Sequence, residues 1–102
     1  YNRGIHIKTR YGESVYSIFK GIVKYADWLE GYGKTIILSH GGGYYSIYAH
    51  LSKIIVKKGE KVKIRQVIGR TGDTESFFGT ELYFEIRKLS KPLNPLYYLS
   101  RR

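Results

Sequence analysis

The side chains able to do chemistry in this chain are few: three histidines (His6, His40 and His50), eight carboxylates and no cysteine. Three imidazoles are sufficient donors for zinc in some enzymes, and a hydrolytic zinc keeps a fourth position open for water. Here the histidines are scattered and nothing local fixes their geometry, so no metal site is expected from them. His40 ends a strand-like run before Gly41-Gly42-Gly43, where its ring is expected to make a structural hydrogen bond and not to act as a site. The lack of cysteine removes disulfides and thiolate ligands.

A second group of usable side chains is aromatic. Eleven residues are Tyr and one is Trp, so much of the aromatic area carries hydroxyls that need solvent or a partner. Tyr and Arg are also favoured as interface anchors. Eighteen Lys and Arg against eight Asp and Glu give a formal charge of +10, enough to draw in an acidic polymer or an acidic protein face. Lys53, Lys57, Lys58, Lys61, Lys63, Arg65 and Arg70 form a basic run, read as a solvated surface that could steer the domain toward anionic membrane or cell-wall polymer. It lacks the interleaved aromatics of a single-strand nucleic-acid platform, so no nucleic-acid partner is expected.

Short β-branched or alternating runs must position these groups: Gly4 to Lys8, Ser14 to Phe19, Ile22 to Trp28, Thr35 to Ser39, Tyr44 to Ala49, Lys53 to Val56, Val62 to Ile64, and Leu82 to Arg87. Glycines punctuate them, and no segment holds a helical apolar period for three turns, which predicts an all-β sandwich or barrel. Pro95 can open one helical turn in the tail, with Leu96 and Leu99 facing the sheet. The 102 residues suit a single domain, 1–102. The absence of Met, also at position 1, fits an excised or processed piece of something longer. No apolar run approaches the roughly 18 residues of a membrane span.

Between Val56 and Gly69 a strand ends at Gly59-Glu60, a short Val62-x-Ile64 strand follows, and another leaves through Gln66-x-Ile68-Gly69. This is similar to the half-motif of a barrel-sandwich hybrid, shared by lipoyl carriers and LytM-like peptidases. A lipoyl carrier needs a modifiable Lys on a dedicated hairpin, and none is found. Four stretches, in order along the chain, resemble the peptidoglycan endopeptidase family that includes lysostaphin and LytM. They are Val15-Tyr16-Ser17-Ile18 with Gly21-Ile22-Val23, Tyr32-Gly33 leading to His40-Gly41, Tyr48-Ala49-His50-Leu51, and Gly79-Thr80-Glu81-Leu82-Tyr83-Phe84-Glu85-Ile86.

The resemblance implies an antiparallel LytM-like barrel-sandwich hybrid and a set of five chemical positions. Active members hold zinc with a His-x-x-x-Asp pair and the second His of a His-Leu-His-Phe-Glu motif, while two further histidines stabilise the reacting water and carbonyl. Here Asn2 and His6 stand at the first pair, Glu81 at a catalytic His and Tyr83 at the third ligand, so only His50 keeps its family residue. A neutral amide and a phenol with a pKa near 10 are poor zinc ligands at neutral pH, which implies no enzyme activity, no cofactor and a degenerate domain.

Tyr25-Ala26-Asp27-Trp28-Leu29-Glu30-Gly31-Tyr32-Gly33, Leu82 to Arg87 and Asn94-Pro95 resemble the EnvC-type murein hydrolase activators. That resemblance implies the C-terminal domain of a periplasmic protein that binds an N-acetylmuramoyl-L-alanine amidase at cell division and relieves its autoinhibition. An upstream coiled coil and a transporter-like division complex are implied with it, and peptidoglycan is a second candidate partner. The expected partner groove is lined by Asn2, Arg3, His6, Tyr32, Tyr48, His50, Glu81, Tyr83 and Arg87. The alternatives are a divergent zinc endopeptidase and a passive peptidoglycan-binding module.

Overall fold

The computed structural model describes residues 4–88 and the backbone of a last strand, Lys91–Leu93. The strands are β1 (Gly4–Lys8), β2 (Ser14–Tyr16), β3 (Gly21–Leu29), β4 (Gly33–Gly41), β5 (Tyr44–Ile54), β6 (Lys61–Val62), β7 (Val67–Thr71), β8 (Glu81–Lys88) and β9 (Lys91–Leu93). Every ladder is antiparallel, in the order β1-β8-β5-β4-β3-β6, with β9 beside β8, and β7 bridging β5 to β2. Among the described residues there is no helix, as the absent 3.6-residue period predicts. The expected C-terminal helical turn, with Pro95, Leu96 and Leu99, lies outside the described residues.

The core forms where the inward positions of the strands meet. Val23, Ile36, Leu38, Leu51 and Ile68 are fully buried, and Val15, Tyr48, Val62, Phe84 and Ile86 join them. Each full aliphatic burial contributes about 1.5–3 kcal/mol. Alternation along β8 assigns its two faces: Leu82, Phe84 and Ile86 go to the core side, Glu81, Tyr83, Glu85 and Arg87 to the other.

β5 departs from the sequence reading in an informative way. Tyr44 to Ala49 and Lys53 to Val56 read as two runs, yet one strand runs from Tyr44 through Ile54 and stops before Ile55 and Val56. His50 has φ 62°, a left-handed backbone that re-aims the chain. Before it, Tyr44 to Ala49 pair with β8; after it, Leu51 to Ile54 pair with β7. The loop from β7 to β8 leaves at this junction and is closed by a bridge between Gly72 and Glu81. β2 stops at Tyr16, short of Phe19, where Ser17 turns to exchange hydrogen bonds with Gln66 and Arg65. The basic residues Lys53, Lys57, Lys58, Lys61, Lys63, Arg65 and Arg70 are all exposed, a solvated face as read from the composition, while Val56, Val62 and Ile68 between them are buried.

Candidate functional site

The site is assembled at that junction. β1 places His6 opposite Tyr83 and Gly4 opposite Glu85, while β5 places Ala49 opposite Tyr83 and then turns His50 out of the ladder. Gly4 is required by close approach: a Cβ there would lie 2.6 Å from the Tyr83 ring and 2.7 Å from the Phe84 carbonyl. His50 is fixed twice. Its backbone amide donates to the Tyr32 carbonyl at 2.8 Å, and Nδ1–H donates to the Thr74 carbonyl at 2.8 Å. Thr74 is tied in turn, its hydroxyl donating to the Leu51 carbonyl and accepting from the Lys34 amide.

Two polar groupings result. In the first, His6 Nδ1–H donates to Glu81 Oε2 at 2.6 Å, and His50 Nε2 stands 3.8 Å from the same oxygen. The His6 and His50 rings stack at 6.4 Å between centroids. Glu81 and His50 are buried, while the His6 side chain is half exposed. In the second, the Tyr83 hydroxyl donates to Glu85 Oε1 at 2.7 Å, and Arg87 Nε donates to Glu85 Oε2. Glu85 is fully buried, so both donors compensate a carboxylate cut off from water. Burial, then the bond to Glu85, raises the Tyr83 pKa far above the ordinary phenol value. The hydrogen bond to Glu85 raises that of Arg87 as well.

Tyr83 stands where the family resemblance puts a zinc ligand. A phenol kept neutral and already donating to a carboxylate does not serve as one, so this position does not fit zinc. A different trio does converge: His6, His50 and Glu81 each offer a donor atom, all within 4.8 Å of one another. Around them a concavity of ≈ 310 Å³ is bounded by Tyr32, Tyr83, Glu75, Phe77 and Phe78. A larger hollow of ≈ 520 Å³ lies on the opposite face of β8, against Ile7, Val15, Leu82 and Phe84, but no such cluster of histidine and carboxylate groups lines it.

Residues 1–95 match the sequence pattern of peptidase family M23. The chain belongs to this family. Lysostaphin's catalytic domain from Staphylococcus simulans, an M23-like neighbour, superposes with a TM-score of 0.90 at 30% identity, over 97% of this chain and 79% of that one. The all-β LytM-like reading of the fold is thereby borne out.

Three relatives extend the comparison of this M23 chain. It is 41% identical to the lipoprotein NlpD/LppB homolog of Pseudomonas aeruginosa, over 99% of this chain and 34% of that protein. It is 40% identical to the murein hydrolase activator NlpD of Escherichia coli, over 99% and 27%. It is 35% identical to the murein hydrolase activator EnvC of Escherichia coli, over 97% and 24%. The chain thus spans about a third or less of the length of these relatives.

The M23 cleft gathers five of the nine residues expected in the partner groove: His6, Tyr32, His50, Glu81 and Tyr83. Tyr48 does not belong. It pairs with Phe84 across the ladder and so points to the core, 2% exposed, where the Ile18 amide donates to its hydroxyl and burial pushes its pKa up to about 12. Arg87 lies on the cleft face of β8, but its Nε is engaged by Glu85. Asn2 and Arg3 lie outside the described residues.

His40 is structural, as expected: Nδ1–H donates to the Lys20 carbonyl at 2.8 Å and Nε2 meets Ser46 Oγ at 2.6 Å. Burial lowers its pKa, opposed by the Lys20 bond. The three-histidine grouping weighed from sequence therefore does not form; Glu81 stands with His6 and His50 in its place.

Sequence reasoning missed Phe77 and Phe78, which are 97% and 73% exposed on the β7–β8 loop at the cleft rim. Their signal was available: two adjacent aromatics between Gly72 and Gly79, outside any alternating run. It also passed over Glu75, which accepts the Gly31 amide at 3.1 Å and ties the same loop to the β3–β4 turn.

Proposed function

We propose that this M23 domain is a non-catalytic activator that binds an N-acetylmuramoyl-L-alanine amidase in the cell envelope and relieves its autoinhibition. Two relatives of this chain bear the name murein hydrolase activator, and a third is called a lipoprotein. These names support a cell-wall hydrolase as partner and an extracytoplasmic, periplasmic location. Recruitment by an upstream coiled coil and a transporter-like division complex belongs to the same proposal.

The observation that carries the reading is the state of Tyr83. At the position of a zinc ligand stands a neutral phenol committed to a buried carboxylate, so the hydrolytic arrangement of the family cannot form in its usual way. What remains is a concavity with a rim of exposed aromatics, suited to holding a protein segment. Binding draws the inhibitory element from the amidase because the domain has higher affinity for the open amidase, and only that difference can shift the equilibrium.

The rim residues provide the test, since Tyr83 and Arg87 support buried Glu85 and their loss would confuse binding with folding. The double variant Phe77→Ser, Phe78→Ser is expected to keep the melting temperature of the parent and to lose amidase stimulation in a dye-release assay. Full stimulation by that variant would remove the cleft rim as the contact surface.

A further inference from the structure

The geometry points to a divalent transition-metal site built from His6 Nδ1, His50 Nε2 and a Glu81 carboxylate oxygen. This donor set differs from the one the family resemblance implies, because only His6 stands at a ligand position of active members, while His50 and Glu81 stand where those members have catalytic histidines. The site is a binding site, and its occupancy does not depend on the amidase reading.

Chemistry of the donors carries the inference. The Thr74 oxygen is a backbone carbonyl and can only accept, so His50 Nδ1 must hold the proton in that 2.8 Å bond. In the neutral ring the lone pair is then on Nε2, which stands 3.8 Å from Glu81 Oε2 with both side chains nearly excluded from solvent. Glu81 Oε2 already accepts from His6 Nδ1–H at 2.6 Å, and a divalent cation would take the place of that proton, drawing on the His50 lone pair and the carboxylate together. A backbone carbonyl holding the remote nitrogen of a ligating histidine is also the usual outer support of such sites, because it fixes tautomer and ring plane.

Distances and rigidity agree. Tetrahedral bonds of about 2.0–2.1 Å put donor atoms about 3.3–3.4 Å apart. The His50–Glu81 separation of 3.8 Å needs only a small contraction. The His6–Glu81 contact of 2.6 Å must open, and His6 is free to do so because its side chain is 52% exposed at the cleft mouth. Two donors are thus held by the fold and the third closes from the rim. Two imidazoles and one carboxylate favour zinc or cobalt over calcium or magnesium. A fourth coordination position would open into the concavity lined by Tyr32 and Phe77.

The test titrates zinc into chelator-stripped protein by calorimetry and, separately, follows cobalt by its visible absorption, with neither amidase nor peptidoglycan present. One metal per chain is expected, at micromolar affinity or tighter, with the strong absorption of four-coordinate cobalt. His50→Ala and Glu81→Gln, each shown to be folded by circular dichroism, should weaken binding by more than the roughly 10–100-fold that loss of an outer-shell partner costs. His6→Ala, on the rim, should weaken it without altering the fold, and His40→Gln should bind like the parent. Absence of a saturable site in the parent would overturn the proposal, as would parent-like binding by Glu81→Gln and His6→Ala together. Stimulation of the amidase is read separately, so either proposal can fail alone.

Discussion

Tyr83 is tied to a partner buried beneath the cleft. Its hydroxyl donates to Glu85, a carboxylate with no exposure to solvent, and Arg87 supplies the second donor. Removing one partner from a buried charge leaves a desolvation cost that nothing offsets. Tyr83→Phe should therefore lower unfolding stability by about 1–3 kcal/mol, read as a fall in the urea midpoint at unchanged slope. A midpoint equal to that of the parent would mean that Glu85 finds another donor. The identity of residue 83 was legible in sequence, because the family motif sets its position; its partner was not. Glu85 sits two places along the same strand face, and only the exclusion of water from that face turns the neighbourhood into a bond.

At the scale of elements, alternating and β-branched runs located most strands, while the two faces of β8 are set by the structure. The family motif, not alternation, put Tyr48 in the groove, and its cross-strand neighbour Phe84 puts it on the core side. The reason is the left-handed residue at His50: a motif spelled Tyr48-Ala49-His50 does not lie on one face, because the strand is re-aimed within it. That re-aiming depends on the loop carrying Thr74, packed against Gly33 with no room for a side chain. A Cβ at residue 33 would lie 2.3 Å from Thr74 Oγ1, on a backbone with φ +71°. Gly33→Ala is expected to cost about 2–4 kcal/mol through overpacking and backbone strain, and so to lower the melting temperature by roughly ten degrees or more. An unshifted melting curve would show that the loop gives way without cost, and that His50 is held by something other than Thr74.

For the whole molecule, the fold class followed from runs and turns, whereas the meeting of His6, His50 and Glu81 could not be read from spacing. Those three residues lie on β1, β5 and β8, and only the order β1-β8-β5 makes them neighbours. The aromatic rim arose in the same way, from a loop whose exposure depends on the sheet beneath it. The central claim is that this M23 domain acts on the cell wall through a partner. It is tested most directly by incubating the purified chain with dye-labelled peptidoglycan, alone and with an amidase, each with and without added zinc. The chain alone should release no dye in either condition and should raise release when the amidase is present. Zinc-dependent release by the chain alone would contradict the account and make it a peptidase.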